Sequence, residues 1–228
     1  MSFDKYVTSL DHILTGEKIF NIKFFIINDD IEKKVETAIS MLCERYERPE
    51  LPGIVYTCVK ELMINGTKAN LKRVLFEKNE INIDNENQYI QGMMDFRNAL
   101  NENAYHTYLG ELKEKDLWIN VKFEYNCTGI RIYIVNNAHI TSIEDRRLRE
   151  KLKKAMKYED IAQFYIDQGD ELEGAGMGIA LIVMLLRGMG IDPGLFRIGN
   201  TPAGQTFARI EIPLNDEYVC LRIRGNSV

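Results

Sequence analysis

Two periods of apolar and polar positions sort this chain into helices and strands. Stretches rich in Ile, Phe and Val at 19–28, 117–125, 130–135, 196–198, 205–213 and 218–224 read as strands, with the clearest two-residue alternation at 117–125 and 130–135. Helices are predicted at 31–48, 54–76, 91–113 and 142–168, the last with Leu148, Leu152, Ala155 and Met156 as its apolar stripe. A nearly all-apolar run at 177–189 predicts a buried helix. Asp29 or Asp30 can cap the first helix, Pro49 and Pro52-Gly53 break the chain after it, and the Asn-rich stretch 77–89 reads as a loop. Asn126-Cys127-Thr128-Gly129 joins two strands as a hairpin turn. Strands cluster without βαβ alternation, which predicts an α+β sandwich with helices on one sheet face rather than a doubly wound fold. The strand at 19–28 can extend that sheet or pair with a second chain.

The helix at 54–76 carries the first candidate chemistry. Glu61, Asn65, Lys68 and Lys72 stand at i, i+4, i+7 and i+11 and share one face, while Val55, Val59, Leu62, Gly66 and Ala69 fall on the other and can pack on a sheet. A carboxylate, an amide and a lysine in one stripe suit a magnesium–triphosphate: the amide oxygen is a hard ligand, the carboxylate can orient or deprotonate a nucleophile, and the lysine offsets phosphate charge. A solvated helix face explains the same stripe.

The second motif, Glu173-Gly174-Ala175-Gly176-Met177-Gly178, runs straight into the apolar helix. Alternate glycines permit close approach of backbone, and N–H groups at the following helix start can hold phosphate oxygens. Ile179 stands where a Rossmann fingerprint needs its third glycine, and no Gly-Lys-Ser/Thr follows as in a P-loop. A hinge feeding a core helix is the plainer alternative.

Taken in order, the two motifs resemble the ATP-binding domain of the GHKL superfamily, shared by histidine kinases, gyrase and MutL, and most closely its histidine kinase branch. The resemblance spans about 52–214 and includes a third piece, Gly204-Gln205-Thr206-Phe207 leading to Ile212-Pro213-Leu214, similar to the family's closing strand. It implies a two-layer α/β sandwich of the histidine kinase-like ATPase type, with a mixed sheet. It also implies ATP and Mg²⁺ as ligands. By the same resemblance Glu61 is the general base, Asn65 the magnesium ligand, and Lys68 a phosphate contact. Gly174, Gly176 and Gly178 form the glycine-rich box, Thr206 lies near the adenine, and 141–173 is the ATP lid. Arg146, Arg147 and Arg149 in that lid can clamp a γ-phosphate or belong to a solvated charged helix with Glu144, Asp145 and Glu150.

One departure stands out. The family's adenine-binding box, Asp-x-Gly-x-Gly, is here Asn136-Asn137-Ala138-His139-Ile140. Asn136 can still accept a hydrogen bond from the adenine amine, but without charge. Either nucleotide binding is weakened or altered, or the pocket has kept its shape and lost its nucleotide.

Composition narrows the picture further. The hydrophobic share of 45%, charged share of 28% and net charge of −5 are those of a globular protein with no general affinity for nucleic acid. Cys43, Cys58, Cys127 and Cys220 show no metal or disulfide spacing, and Cys58 is expected to be buried packing. Met1-Ser2-Phe3-Asp4-Lys5 lacks a signal-peptide layout, and the apolar run at 176–186 is too short to span a bilayer, so a cytoplasmic protein without membrane contact is expected. Residues 1–50 read as an N-terminal extension, a possible dimer or partner element, and 51–228 as the GHKL-like domain. None of His12, His106 and His139 has a phosphoacceptor context, so a phosphoryl acceptor would sit on a protein partner. The two functions in view are ATP-dependent phosphoryl transfer or hydrolysis, and a non-catalytic GHKL-fold regulator that binds a partner as pseudokinases and anti-sigma factors do.

Overall fold

Alternation in the strands builds the sheet. In the computed structural model, which describes residues 3–16, 18–100, 104–158, 162–164 and 177–224, every second residue of β2 (Ile119–Tyr125) is buried. The same rhythm runs through β1 (Ile19–Phe24) and β3 (Gly129–Asn136). With β4 (Phe196–Asn200) and β5 (Thr206–Pro213) they form one five-stranded sheet in the order β1-β2-β3-β5-β4. All four pairings are antiparallel, which corrects the mixed sheet implied by the resemblance. The α+β class and the two-layer arrangement hold.

One face of the sheet presents Phe20, Ile22, Val121, Phe123, Ile132 and Ile210 to a single core. The helices that cover it are α2 (Asp29–Arg45), α3 (Pro52–Lys78) and the apolar α8 (Met177–Gly188), which contribute Val35, Ile39, Val59, Leu62, Ile182 and Val183. Asn28, rather than Asp29 or Asp30, caps α2, its side chain accepting from the Ile31 amide at 2.9 Å. α1 (Phe3–Gly16) joins this core through Leu10 and Leu14, and β1 is an edge strand of the sheet, so α1, β1 and α2 share one core with the rest.

Between α3 and β2 the described residues form three helices, α4 (Glu86–Ala99), α5 (Ala104–Thr107) and α6 (Leu109–Glu114), where one helix at 91–113 is expected. α4 starts inside the expected loop because Asn85 caps it, accepting from the amides of Asn87 and Gln88. These helices bury the far end of α3 through Leu71, Leu75, Phe76 and Phe96.

In the lid region α7 (Ser142–Ala155) follows β3, and Met156 is exposed rather than part of its apolar stripe. The expected strand at 218–224 is a correction: Leu221–Arg224 is a short helical turn. This segment covers the outer sheet face, where the buried Glu211 accepts from the Tyr218 hydroxyl at 2.5 Å and from the Leu221 amide at 3.1 Å. Those donors remove the chain from any ladder. Among the described residues no helix is long and apolar enough to cross a membrane. Cys43 and Cys58 are buried, and burial pushes their thiols up to about 11 and about 12.

Candidate functional site

α3 is buried on nearly all sides, so its polar stripe is not a solvated face. Its sheet side packs Val55, Val59 and Leu62 into the core, and Gly66 lets it approach Ile119 and Ile134. Ala69 is only half-buried. The polar side splits into two groups. Asn65 donates from Nδ2 to Glu61 Oε1 at 3.1 Å, one turn back. Glu61 lies against the start of α8, where a Cβ on Gly178 would overlap its carboxylate and Cγ. The first and second sequence motifs therefore meet at Glu61 and Gly178. Gly174 and Gly176 lie outside the described residues, as does most of the lid beyond Tyr158.

A cavity of about 700 Å³ opens between α3, α7 and the adjoining ends of β3 and β5. Asn65, Asn136 and Thr206 line it, together with apolar Leu62, Ile134, Ile179 and Ala208. Asn136 and Thr206 face each other in the β3–β5 register. Glu61 and Lys68 are not among the lining residues. Lys68 makes no ion pair among the described residues.

Hydrogen bonds hold the chain after β3 in a conformation that needs no glycine. Asn136, 4% exposed, donates from Nδ2 to Asn70 Oδ1 at 3.1 Å, and Asn70 in turn donates to the Trp118 carbonyl. Asn137 accepts from the Trp118 amide at 3.0 Å. Thr206 donates to the Ala138 carbonyl at 2.6 Å, and Asn200 holds both the amide and the carbonyl of Ile140. No residue at 136–140 has a positive φ, so none needs glycine. The Asn136 Oδ1 accepts from none of the described residues and remains an acceptor at the cavity wall.

The other group on α3 is cationic. Lys72 and Arg73 both bind Glu144 of α7, Lys72 through a short ion pair and Arg73 through two guanidinium contacts of 2.9 and 2.5 Å. Glu144 also closes a capping box with Thr141: its carboxylate accepts from the Thr141 amide at 3.0 Å, and its own amide donates to the Thr141 hydroxyl. Burial alone would raise the Glu144 carboxyl, but the Arg73 hydrogen bonds and the charges of Lys72 and Arg73 hold it down to about 2. Burial pushes the Lys72 ammonium down, with Glu144 opposing.

So the solvated-helix alternative fails for Glu144 and holds for Glu150, which is exposed. Arg146 pairs with Glu86 of α4, and Arg149 donates to the Ile198 carbonyl at 2.9 Å. Arg146 and Glu86 line the cavity as a pair, whereas Arg149 is not among its lining residues. Arg147 lies over the Tyr89 ring, 5.1 Å from its centroid.

Sequence reasoning missed Glu144 as a hub and the cavity wall supplied by α4. The sequence Thr141-Ser142-Ile143-Glu144 carries the capping-box signature and could have marked the start of α7. No local pattern marks the wall of α4.

Among the described residues no cluster of three or more His, Cys, Asp or Glu could hold a metal ion. Asn65 lines the cavity and its Oδ1 could hold a hard cation there only if phosphate oxygens completed the shell.

An uncharacterized protein of Treponema pallidum (strain Nichols) is 24% identical over 196 residues, covering 86% of this chain and 38% of the relative. The chain therefore spans well under half the length of that relative. No protein-family profile matches the chain, and no solved structure matches it.

Proposed function

We propose that this protein binds Mg-ATP in the cavity between α3 and α7 and transfers the γ-phosphoryl group to a protein partner or to water. The observation that carries the reading is convergence. Asn65 of the first motif, Asn136 at the end of β3 and Thr206 at the start of β5 line one cavity, and Gly178 of the second motif abuts Glu61 one turn away. Those are four separate stretches of sequence singled out for one ligand.

In this reading the apolar wall of Leu62, Ile134 and Ala208 takes the adenine, and Asn136 Oδ1 accepts from its exocyclic amine. Asn65 offers its Oδ1 to the metal while its Nδ2 stays on Glu61. Bound magnesium would neutralise charge on the phosphates. Glu61, steadied by Asn65, accepts the proton of the attacking hydroxyl or imidazole once the nucleotide draws it to the cavity. Lys68, three residues beyond Asn65, swings to the phosphates. The proposal includes a cytoplasmic location, where ATP is supplied and thiols stay reduced. It also includes a partner carrying the acceptor group, and it leaves room for a homodimer.

A second reading has its own observation. Glu61 and Lys68 lie off the cavity, and α7 is pinned to α3 through Glu144, so a regulator that binds a partner without catalysis fits the same fold. Calorimetry with ATP, ADP and GTP, with and without Mg²⁺, on wild type and Asn65→Ala separates the two. Micromolar adenine-nucleotide binding that needs Mg²⁺ and Asn65 supports the enzyme, and Glu61→Gln should then abolish turnover while sparing binding. No binding at millimolar nucleotide overturns it in favour of the regulator.

A further inference from the structure

The cavity has a second end that the nucleotide reading does not use. Seven residues beyond Asn65, about 10 Å along α3 at the helical rise, Lys72 stands at a wall built by α4 and α7. Among the described residues lining the whole cavity, seven are lysine or arginine and three are glutamate, in a chain whose net charge is −5. The acids are largely spent: Glu144 on Lys72 and Arg73, Glu86 on Arg146. Arg97 of α4 and Arg147 of α7 line the same wall and form no ion pair among the described residues. Lys151 lies one turn after Arg147 on the cavity side of α7.

We propose that Arg97, Arg147 and Lys151, with Lys72 and the Tyr89 hydroxyl beneath them, form an anion subsite separate from the Asn65 end, built for a ligand carrying adjacent phosphate groups.

Several features bear on the ligand's chemistry. Two guanidinium forks supplied to one cavity wall by different helices match the paired oxygens of phosphates better than a single carboxylate. Tyr89 is buried, and its hydroxyl accepts from Lys72 at 3.4 Å, which leaves its own hydrogen to donate outward. Burial, with Glu144 adding to it, pushes that hydroxyl up to about 12, so it keeps the hydrogen. Arg147 and Lys72 both lie over the Tyr89 ring, which holds Arg147 at the wall without pairing its charge, while Lys72 is already paired with Glu144. Burial lowers the Lys151 ammonium, and the charges of Arg147, Arg97 and Lys72, which line the same cavity, lower it further. A polyanion on that wall would offset these like charges. α4 belongs to the helical stretch between α3 and β2, so this end of the cavity depends on an element outside all three sequence motifs.

The subsite stands whether or not ATP binds at the other end, and pyrophosphate alone tests it. Calorimetry at low ionic strength should show pyrophosphate binding to the whole chain. The double substitution Arg97→Gln/Arg147→Gln should weaken it at least ten-fold, and Asn65→Ala should change it less than two-fold. Thermal melts of both variants, matching wild type within a few degrees, exclude loss of fold as the cause. Arg147→Lys, which keeps charge but loses the fork, should give an intermediate affinity. Pyrophosphate should still bind with saturating Mg-ATP present. Three results overturn the subsite: no binding at millimolar pyrophosphate, equal affinity in the double variant, or complete displacement by Mg-ATP. If Mg-ATP itself fails to bind while pyrophosphate binding keeps its dependence on Arg97 and Arg147, the subsite holds and the nucleotide reading falls.

Discussion

The two halves of α3 were written with similar residues and came out with opposite physics. In the first half, Glu61 and Asn65 are half-buried and bonded to each other, and Asn65 shares its cavity wall with the amide of Asn136, which is bonded to Asn70. In the second half, Lys72 is buried and Arg73 half-buried, and both are neutralised by a carboxylate seventy-odd residues away in sequence. The near half is a hydrogen-bonding surface in which Glu61 makes no ion pair among the described residues, and it can change partners when a ligand arrives. The far half is a charged clamp that fixes α7 over α3. The difference teaches that a stripe at helical spacing says which side chains share a face, and nothing about which of them will be held.

The clamp should give the largest effect. Glu144→Ala leaves Lys72 and Arg73 without their shared acceptor, and breaking a buried pair on one side typically costs about 3–5 kcal/mol. Urea denaturation would measure it. Lys72→Met should cost much less, because Glu144 keeps Arg73 and the capping box. Equal losses in the two variants would break the view of Glu144 as the hub.

The same clamp sets a pH dependence with a definite sign. Glu144 has a folded-state pKa of about 2 against an ordinary 4.5, so its stabilisation is fully present above pH 4.5 and is lost as pH falls toward 2. A shift of that size corresponds to on the order of 3 kcal/mol. Wild type and Glu144→Gln, compared by urea titration, should differ most near pH 6 and converge near pH 2. A constant gap across that range would mean the carboxylate is not the titrating group.

In the amide half the expected losses are smaller. Asn136→Ala strands the buried Oδ1 of Asn70 without its donor, a cost of about 1–3 kcal/mol. Its cost should not vary between pH 6 and pH 3, in contrast to Glu144→Gln. Gly178→Ala places a methyl against Glu61, and the flexible carboxylate can yield, so about 1 kcal/mol is expected in stability. Its effect on nucleotide turnover should be far larger, at least ten-fold, if Glu61 is the base. Turnover unchanged by Gly178→Ala would remove Glu61 from the chemistry.

What could be read in advance divides along the same line. Period-two alternation in β2 and β3, the hairpin at Asn126–Gly129 and the apolar α8 were legible because each is encoded by neighbouring residues. Glu61 with Asn65, and Asn136 with Thr206, were named from motifs and do meet around one cavity or one turn from it. α1 was missed although Tyr6, Leu10, Ile13 and Leu14 carry a helical spacing that a longer look would have found. The helical turn at Leu221–Arg224 resembles a strand locally, and only a long-range partner, Glu211, draws it out of the sheet. The cationic wall was illegible for the same reason: Lys72, Arg97 and Arg147 are scattered through the sequence and meet only because α4 and α7 fold over α3.

The smallest predicted effect tests whether local and long-range order are joined at Glu144. Thr141 caps α7 by accepting from the Glu144 amide, while the Glu144 side chain accepts from the Thr141 amide and from two cations of α3. Thr141→Ala removes the hydroxyl but neither ion pair, so an ordinary N-cap loss of about 1 kcal/mol is expected. In the background of Glu144→Ala the same substitution should cost less, because the second arm of the box is already gone. That difference, read from a double-mutant cycle, measures how strongly the start of α7 is coupled to α3. Strict additivity would mean that α7 forms its first turn on its own and the clamp merely captures it. A coupling of 0.5 kcal/mol or more would mean that the clamp helps to form the turn, so that releasing Glu144 would loosen α7 from its N-terminal end.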